Sequence, residues 1–111
     1  MSEIKVNGNL FKKATAILKK NHTTFGDQFN KLMDQGVKLD QVPFGFEEYD
    51  TKDTNDYSID LGKLNVNVEH KFIDVLKSMD IPMTYVVNGY CRRVILKKGV
   101  PSFHPNFTSY K

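Results

Sequence analysis

Two asparagines, Asn65 and Asn67, alternate with apolar residues over the range 64–68. Because neighbouring side chains of a strand lie on opposite faces, this order predicts a strand with one apolar face and one amide face. An asparagine amide presents a donor and an acceptor together, the pair that matches the edge of adenine in the major groove of DNA. Asparagine is otherwise poorly suited to strands, so two at this spacing need a reason.

The beginning of the chain shows the same alternation over a shorter stretch. Ile4 and Val6 alternate with Lys5 and Asn7, and a lysine ammonium can donate to the acceptors of guanine. The polar row predicted from the two strands contains no acid and no apolar residue; its members are Lys5, Asn7, Asn65 and Asn67. Such a row favours contacts to DNA bases, but an exposed edge strand kept polar against aggregation has the same composition.

Two helical patterns follow the first strand. From Asn9, the predicted N-cap, apolar residues recur at helical spacing as far as Lys20. Thr23 or Thr24 is predicted to cap a second helix, and Gly36 is predicted to end it. The two apolar stripes are Leu10, Phe11, Ala14, Ile17 and Leu18, and then Phe25, Phe29, Leu32 and Met33.

Two further helical patterns follow the second strand. Thr84 is the predicted N-cap of the later helix, which Gly99 closes and Pro101 prevents from continuing. The candidates for burial are Phe72, Val75, Leu76 and Met79 in the earlier helix, and Val86, Val87, Tyr90, Cys91, Val94 and Ile95 in the later one.

A single strand followed by two amphipathic helices cannot bury its own apolar faces. We therefore predict a mostly α-helical fold in which two strand-helix-helix units share a two-stranded antiparallel ribbon above four helices. The predicted organisation is a single domain over 1–111, with a first unit at 1–36, a connector at 37–62, a second unit at 63–103 and a tail at 104–111. The side chains expected on the inner face of the ribbon are Ile4, Val6, Leu64, Val66 and Val68.

Charge is unevenly distributed along this chain of 111 residues with a formal net charge of +3. The range 1–36 has six lysines and three acids, the range 63–111 has eight basic residues and three acids, and the range 37–62 has seven acids and two lysines. Two basic units with an acidic connection favour contact with a polyanion, although an uneven solvated surface has the same composition. The basic residues expected to contact phosphates, if any do, are Lys12, Lys13, Lys19, Lys20, Arg92, Arg93, Lys97 and Lys98.

The connector combines acids with aromatic residues. Phe44, Phe46 and Tyr49 are too many aromatics for a purely flexible linker, so they either pack on the domain or bind a partner. The acids from Glu47 to Asp60 lack the glycine and the terminal glutamate of an EF-hand loop, which favours a solvated connector over a calcium site.

Few residues point to catalysis or metal binding. The single cysteine, Cys91, excludes an internal disulfide and a multi-cysteine zinc cluster, and its apolar stripe predicts a buried structural thiol. His22, His70 and His104 lack metal-ligand spacing. We expect no enzymatic activity and no cofactor. Without a long apolar run or a signal-peptide pattern, we also expect a cytoplasmic protein with no membrane partner.

The pattern as a whole resembles the ribbon-helix-helix superfamily of the Arc and methionine repressors and the RelB-type antitoxins. The range 64–69 is similar to the family strand and its exit into a helix, Met83 and Thr84 to the turn before the second helix, and 94–101 to the end of RelB-like domains. Two units in one chain resemble the tandem arrangement of TraY-type proteins, which bind plasmid transfer origins.

This resemblance implies that the outward strand residues contact bases and that the start of each second helix holds a phosphate through backbone N–H groups. The implied base-contacting residues are Lys5, Asn7, Asn65 and Asn67. The implied phosphate anchors are Thr24 and Phe25 in the first unit, and Thr84 and Tyr85 in the second; Arg92 and Arg93 complete the predicted phosphate-contacting set.

The expected function is a sequence-specific double-stranded DNA-binding protein, a bacterial, plasmid or phage transcriptional regulator. It is expected to act as a monomeric pseudo-dimer or as a homo-oligomer on DNA. The alternative is an antitoxin or inhibitor that covers a basic protein partner, such as a toxin or a relaxosome component, with its acidic segment 44–60. A third possibility is a small structural protein in which the asparagine-rich strand is a soluble edge.

Overall fold

Six elements of secondary structure follow one another in the described part of the chain. The computed structural model describes residues 3–43 and 53–101. The elements are β1 (Glu3–Val6), α1 (Gly8–Lys20), α2 (Phe25–Leu39), β2 (Tyr57–Asp60), α3 (His70–Met79) and α4 (Met83–Lys97). A mostly helical fold with one two-stranded antiparallel sheet is thereby confirmed. The predictions for Phe44, Phe46, Tyr49, the acids at 47–50 and the tail 104–111 fall outside the described residues.

Side chains cap the first two helices. Asn7 is the N-cap of α1, and its Oδ1 accepts a hydrogen bond from the Leu10 N–H at 2.9 Å. The prediction of Asn9 as this cap was wrong, because the Asn7 side chain already satisfies an N–H of the first turn. The prediction of Thr24 is confirmed, since its Oγ1 accepts from the Asp27 N–H at 3.1 Å.

Two other predicted helix boundaries were wrong. Helix α2 continues through Gly36 to Leu39 and ends at Asp40, which has a positive φ of 55°. Gly36 instead lies inside the helix, where a Cβ would come within 2.5 Å of the Phe72 ring. Helix α4 begins after Pro82, and the hydroxyl of Thr84, inside its first turn, donates to the Lys5 carbonyl oxygen at 2.9 Å.

The ribbon pairs β1 with β2, and not with the predicted strand at 64–68. The antiparallel register matches Glu3 with Asp60, Ile4 with Ile59, Lys5 with Ser58 and Val6 with Tyr57. The prediction of a strand at 64–68 was therefore wrong, and the range 37–62 is not only a connector, because it contains β2 and the end of α2.

Local turn chemistry explains why the chain leaves the ribbon after Asp60. The Asp60 Oδ1 accepts from the backbone N–H groups of Gly62 and Lys63, at 3.0 and 3.3 Å. An aspartate that bonds its own following backbone initiates a turn. Asn65 then adopts a φ of 62°, a left-handed conformation that asparagine tolerates better than most residues. The left-handed Asn65 thus interrupts the regular extended backbone that a strand at 64–68 would require.

The core lies between the ribbon and the helices, and α4 is its central element. Most of α4 is buried, and its Tyr90 packs at ring-centroid distances of 6.1 Å against both Phe25 and Phe29. Helix α1 packs against α4, and α2 packs against α3. The predicted stripes are confirmed apart from partial exposure at four positions, which are Leu10, Ile17, Met79 and Ile95.

A polar link ties residues 54–55 to the core. Asn88, only 2% exposed, accepts through Oδ1 from the Asn7 N–H at 2.9 Å and donates through Nδ2 to Asn55 Oδ1 at 2.7 Å. The Asn7 side chain also donates to the Thr54 carbonyl oxygen at 2.9 Å. These bonds satisfy a buried amide and place the chain for its entry into β2.

Candidate nucleic-acid interface

The outer face of the ribbon carries acids as well as a lysine. Cross-strand partners share a face, so Glu3 with Asp60 and Lys5 with Ser58 point away from the core, opposite the buried Val6. The expected row without acids is therefore not present on this ribbon. Of its predicted members, only Lys5 stands on the outer face.

Asn7 belongs to a helix cap instead of a base-contacting row. Its Oδ1 accepts from Leu10, and its Nδ2 donates to Thr54, so both ends of the amide are engaged within the fold. The prediction that Asn7 points outward from a strand was wrong, because the strand ends at Val6 and the helix begins at Gly8.

Asn65 and Asn67 lie on the segment between β2 and α3. Asn30 of α2 holds this segment: its Nδ2 donates to the Asn65 carbonyl oxygen at 3.0 Å, and its Oδ1 accepts from the Asn67 N–H at 2.8 Å. The Asn30 side chain thus makes the pair of backbone hydrogen bonds that a neighbouring strand would otherwise make. The expectation that Val68 is buried was also wrong, since it is 38% exposed, whereas Val66 is buried.

The four predicted phosphate anchors divide between exposed and committed positions. Thr24 is exposed at the start of α2, while Phe25 is buried in the core. The Thr84 hydroxyl donates to the Lys5 carbonyl oxygen, and Tyr85 is half-buried. The starts of α2 and α4 are therefore not equivalent. The start of α4 is hydrogen-bonded to β1 through Thr84, and no such bond joins the start of α2 to β1 among the described residues.

The two predicted arginines are engaged with the protein. Arg92 Nη2 donates to Asp53 Oδ1 at 2.7 Å in a partly buried ion pair. Arg93 is only 3% exposed. Neither side chain is therefore presented to a partner as an open surface cation. Their roles are internal, and the pairing with Asp53 fixes one end of the segment that leads into β2.

Six exposed lysines, in contrast, lie on two neighbouring helices or directly after them. Helices α1 and α4 contain no acid, and they pack against each other. The Asn7 N–H, directly before α1, donates to Asn88 within α4. Asn21, directly after α1, lies next to Gly99, which follows α4, so the two helices run in the same direction. The exposed lysines of these two helices, together with Lys98 directly after α4, form what we call the basic face. They are Lys12, Lys13, Lys19, Lys20, Lys97 and Lys98.

Helix geometry aligns four members of the basic face. Lys12 and Lys19, like Lys13 and Lys20, are seven residues apart on α1, which places each pair on one side about 10 Å apart along the axis. The Lys12 ammonium lies 4.9 Å from the centre of the Tyr57 ring. The sequence contained this signal, because the ranges 8–20 and 83–98 have no acid, but only the fold shows that the two helices are neighbours.

Helices α2 and α3, which pack against each other, carry both signs of charge. Helices α2 and α3 carry Asp27, Asp34 and Asp74 together with four lysines, Lys31, Lys38, Lys71 and Lys77. At the start of α3, a hydrogen bond with Asp34, followed by burial, raises the pKa of the Glu69 carboxyl above its ordinary value of 4.5. The positive charge of the protein is thus concentrated on the basic face.

The described residues contain no group of three or more histidine, cysteine or acidic side chains placed to hold a metal ion. Cys91 is fully buried, and this burial raises the pKa of its thiol. Burial likewise raises the pKa of the Tyr90 hydroxyl. Both groups stay neutral in the core, so they lack the ionised form that nucleophilic or metal-binding chemistry needs.

The described end of the acidic segment is part of the fold. Asp53 pairs with Arg92, Asp60 forms a turn, and residues 57–60 form a strand of the ribbon. This arrangement gives residues 53–60 an internal role. None of the helices in the described ranges is both long enough and apolar enough to span a bilayer.

Compared with known proteins, the chain matches no family model, no curated protein and no solved structure.

Proposed function

We propose that this protein binds double-stranded DNA and that the basic face makes the main contact, through phosphates. The observation that carries the proposal is the packing of two acid-free helices side by side, which collects six exposed lysines. Lysines that neutralise phosphates release counterions and supply affinity without regard to sequence. On this proposal the contact surface differs from the asparagine row expected from the sequence.

The proposed kinship with ribbon-helix-helix proteins is supported by the order strand, helix, helix, which occurs twice. A two-fold relation that exchanges α1 with α3 and α2 with α4 would turn the α1–α4 packing into the α3–α2 packing, and both packings occur. We propose on this basis that the chain is a pseudo-dimer. Its halves differ in the length of one connection: α1 begins two residues after β1, whereas α3 begins ten residues after β2.

Sequence specificity, as proposed for a transcriptional regulator, would come from Lys5. It is exposed on the outer face of the ribbon beside Ser58, and both side chains can bond base edges. Glu3 and Asp60 stand next to this pair and would be repelled by phosphates. Lys5 is therefore the residue whose replacement by alanine should lower the preference for a selected site over random DNA.

The decisive experiment measures binding of a fluorescein-labelled random-sequence duplex by anisotropy at several salt concentrations. We expect the double variant K13A/K20A to bind more weakly and to lower the slope of log affinity against log salt by about 2, because each phosphate contact contributes about 0.9. Both lysines are exposed, so the double variant should remain folded by circular dichroism.

A matched control is available on α2. Lys31 and Lys38 are also exposed and also seven residues apart on a helix. The variant K31A/K38A removes the same charge from α2, outside the basic face, and should leave the salt slope unchanged. Equal losses in the two variants would show that net charge alone matters, and absence of salt-dependent binding by the unaltered protein would overturn the proposal.

A further inference from the structure

A cleft lies between α1, the start of α2 and the turn that follows β2. Its volume is about 450 Å³, within the range of small-molecule sites, and its floor is formed by Phe11, Phe25 and Leu64. The two rings meet edge to face with their centroids 5.2 Å apart. Because Phe11 is 7% and Phe25 3% exposed, most of the apolar surface that this floor offers to a ring or a short alkyl chain comes from the partly buried Leu64.

Three polar side chains at the rim of the cleft present donors, namely Thr23, Thr24 and Lys19. The fourth, Thr15, donates its hydroxyl hydrogen to the Lys12 carbonyl oxygen at 3.0 Å. The Thr23 oxygen accepts from Gln28 Nε2 at 2.9 Å, and the Thr24 oxygen accepts from the Asp27 N–H at 3.1 Å. Because each hydroxyl oxygen is used as an acceptor, its hydrogen is left to donate. Lys19 adds a positively charged donor, and none of the described residues that line the cleft has a carboxylate.

Another concave surface, of about 340 Å³, has a different lining and serves as a comparison. It is lined by Asp40, Asp74 and Lys71, among others, and thus by both signs of charge. Donors and acceptors are mixed there, so its lining does not define a ligand class. Of these two surfaces in the described part of the chain, the first combines an apolar floor with a lysine and without a carboxylate.

We infer that the cleft between α1 and α2 binds a small monocarboxylate with an aromatic or branched apolar body. The body lies on Leu64 and the exposed edges of Phe11 and Phe25. The carboxylate accepts hydrogen bonds from Lys19 and the hydroxyls of Thr23 and Thr24. This ligand site goes beyond DNA binding and does not depend on it.

The test titrates the ¹⁵N-labelled full-length protein with 4-phenylbutyrate and, separately, with the uncharged 4-phenylbutan-1-ol. We expect phenylbutyrate to produce saturable shifts of the Thr24, Phe25 and Gly26 amide signals, and the alcohol to bind at least fivefold more weakly. Shifts of equal affinity for acid and alcohol, or saturable shifts confined to other residues, would overturn the inference.

Two neighbouring lysines provide a matched pair of variants. Lys19 lines the cleft, whereas Lys20 is exposed outside it. K19Q should weaken phenylbutyrate binding about tenfold, as expected for loss of a charge-assisted hydrogen bond, and K20Q should leave it unchanged. A third variant, T15W, places a large side chain in the cleft and should abolish binding while the spectrum stays dispersed. Unaltered binding by K19Q, or by a folded T15W, would contradict the assignment.

Discussion

At the scale of single residues, Gly26 sets how closely α2 approaches the turn after β2. A Cβ added at this position would collide with the carbonyl oxygen of Leu64, a backbone atom that cannot move without shifting the turn. The glycine is thus required by proximity, since no described glycine has a positive φ. This contact also forms one side of the cleft.

Replacing Gly26 with alanine should destabilise the protein by about 1–3 kcal/mol, the usual cost of forcing an extra group into a packed site. The measurement is the midpoint of urea unfolding followed by circular dichroism. Gly99 is the control, because a Cβ there would have its nearest neighbour at 3.9 Å, an ordinary contact. G99A should change stability by no more than about 0.5 kcal/mol. Equal effects of the two substitutions would show that the approach of Leu64 is not a constraint.

At the scale of elements, α3 is the shortest described helix and begins without a side-chain cap. Glu69 occupies the N-cap position with extended backbone angles, but its side chain makes no capping hydrogen bond. Instead it bonds Asp34, and this contact is the main reason that its pKa is raised. A raised pKa means that the stability associated with the protonated carboxyl is present at acid pH and is lost as the pH rises through that pKa.

The substitution E69S should therefore stabilise the protein at pH 7 by about 1 kcal/mol, because serine supplies the missing cap and removes a carboxylate from beside Asp34. The gain should shrink near pH 3, where Glu69 is protonated in both the folded and unfolded chain. Urea unfolding at the two pH values measures the difference. E69Q removes the charge without capping, so a serine variant no more stable than the glutamine variant would refute the capping argument.

The helices were predictable from the sequence because each carries an apolar stripe of helical period, although the boundaries predicted at Asn9, Gly36 and Thr84 were wrong. One boundary was chemically recognisable, since the spacing of Thr24 from Asp27 indicates a cap without knowledge of the fold. Strand β2 was missed although Tyr57 and Ile59 alternate with Ser58 and Asp60, because four residues among many acids compete poorly with the longer alternation at 64–68. The bonds of Asp60 and the left-handed Asn65 decide between them, and these depend on backbone geometry.

The candidate site was predictable in part. The lysines of α1 and the end of α4 were expected as phosphate contacts, and their exposure agrees with that role. The ion pair of Arg92 with Asp53 joins residues 39 positions apart, and the burial of Arg93 depends on three-dimensional packing. A sequence pattern contains no information on such pairs, so it assigned both arginines to the surface. The same limit applies to the cleft, whose walls come from three separate segments.

At the scale of the whole molecule, the main packing contacts connect the two halves of the chain. Helix α1 rests on α4, α2 rests on α3, and β1 pairs with β2. Within each half, the apolar stripe of a helix is covered by elements of the other half. Each half alone would expose those stripes and leave its strand unpaired, and a piece of this size has too little surface to bury on its own.

Because each half covers the apolar surfaces of the other, the protein should assemble from two separate fragments. Peptides covering 1–43 and 53–111 should each be largely unfolded, and an equimolar mixture should recover the helical circular dichroism of the intact chain. Because the fragments must now find each other, the thermal midpoint of the mixture should rise with concentration, whereas that of the intact protein should not. A fragment that folds alone would show that the halves are independent. Reconstitution would instead show that each fragment folds only when it binds the other. The helical signal of one fragment could then be used to detect the other.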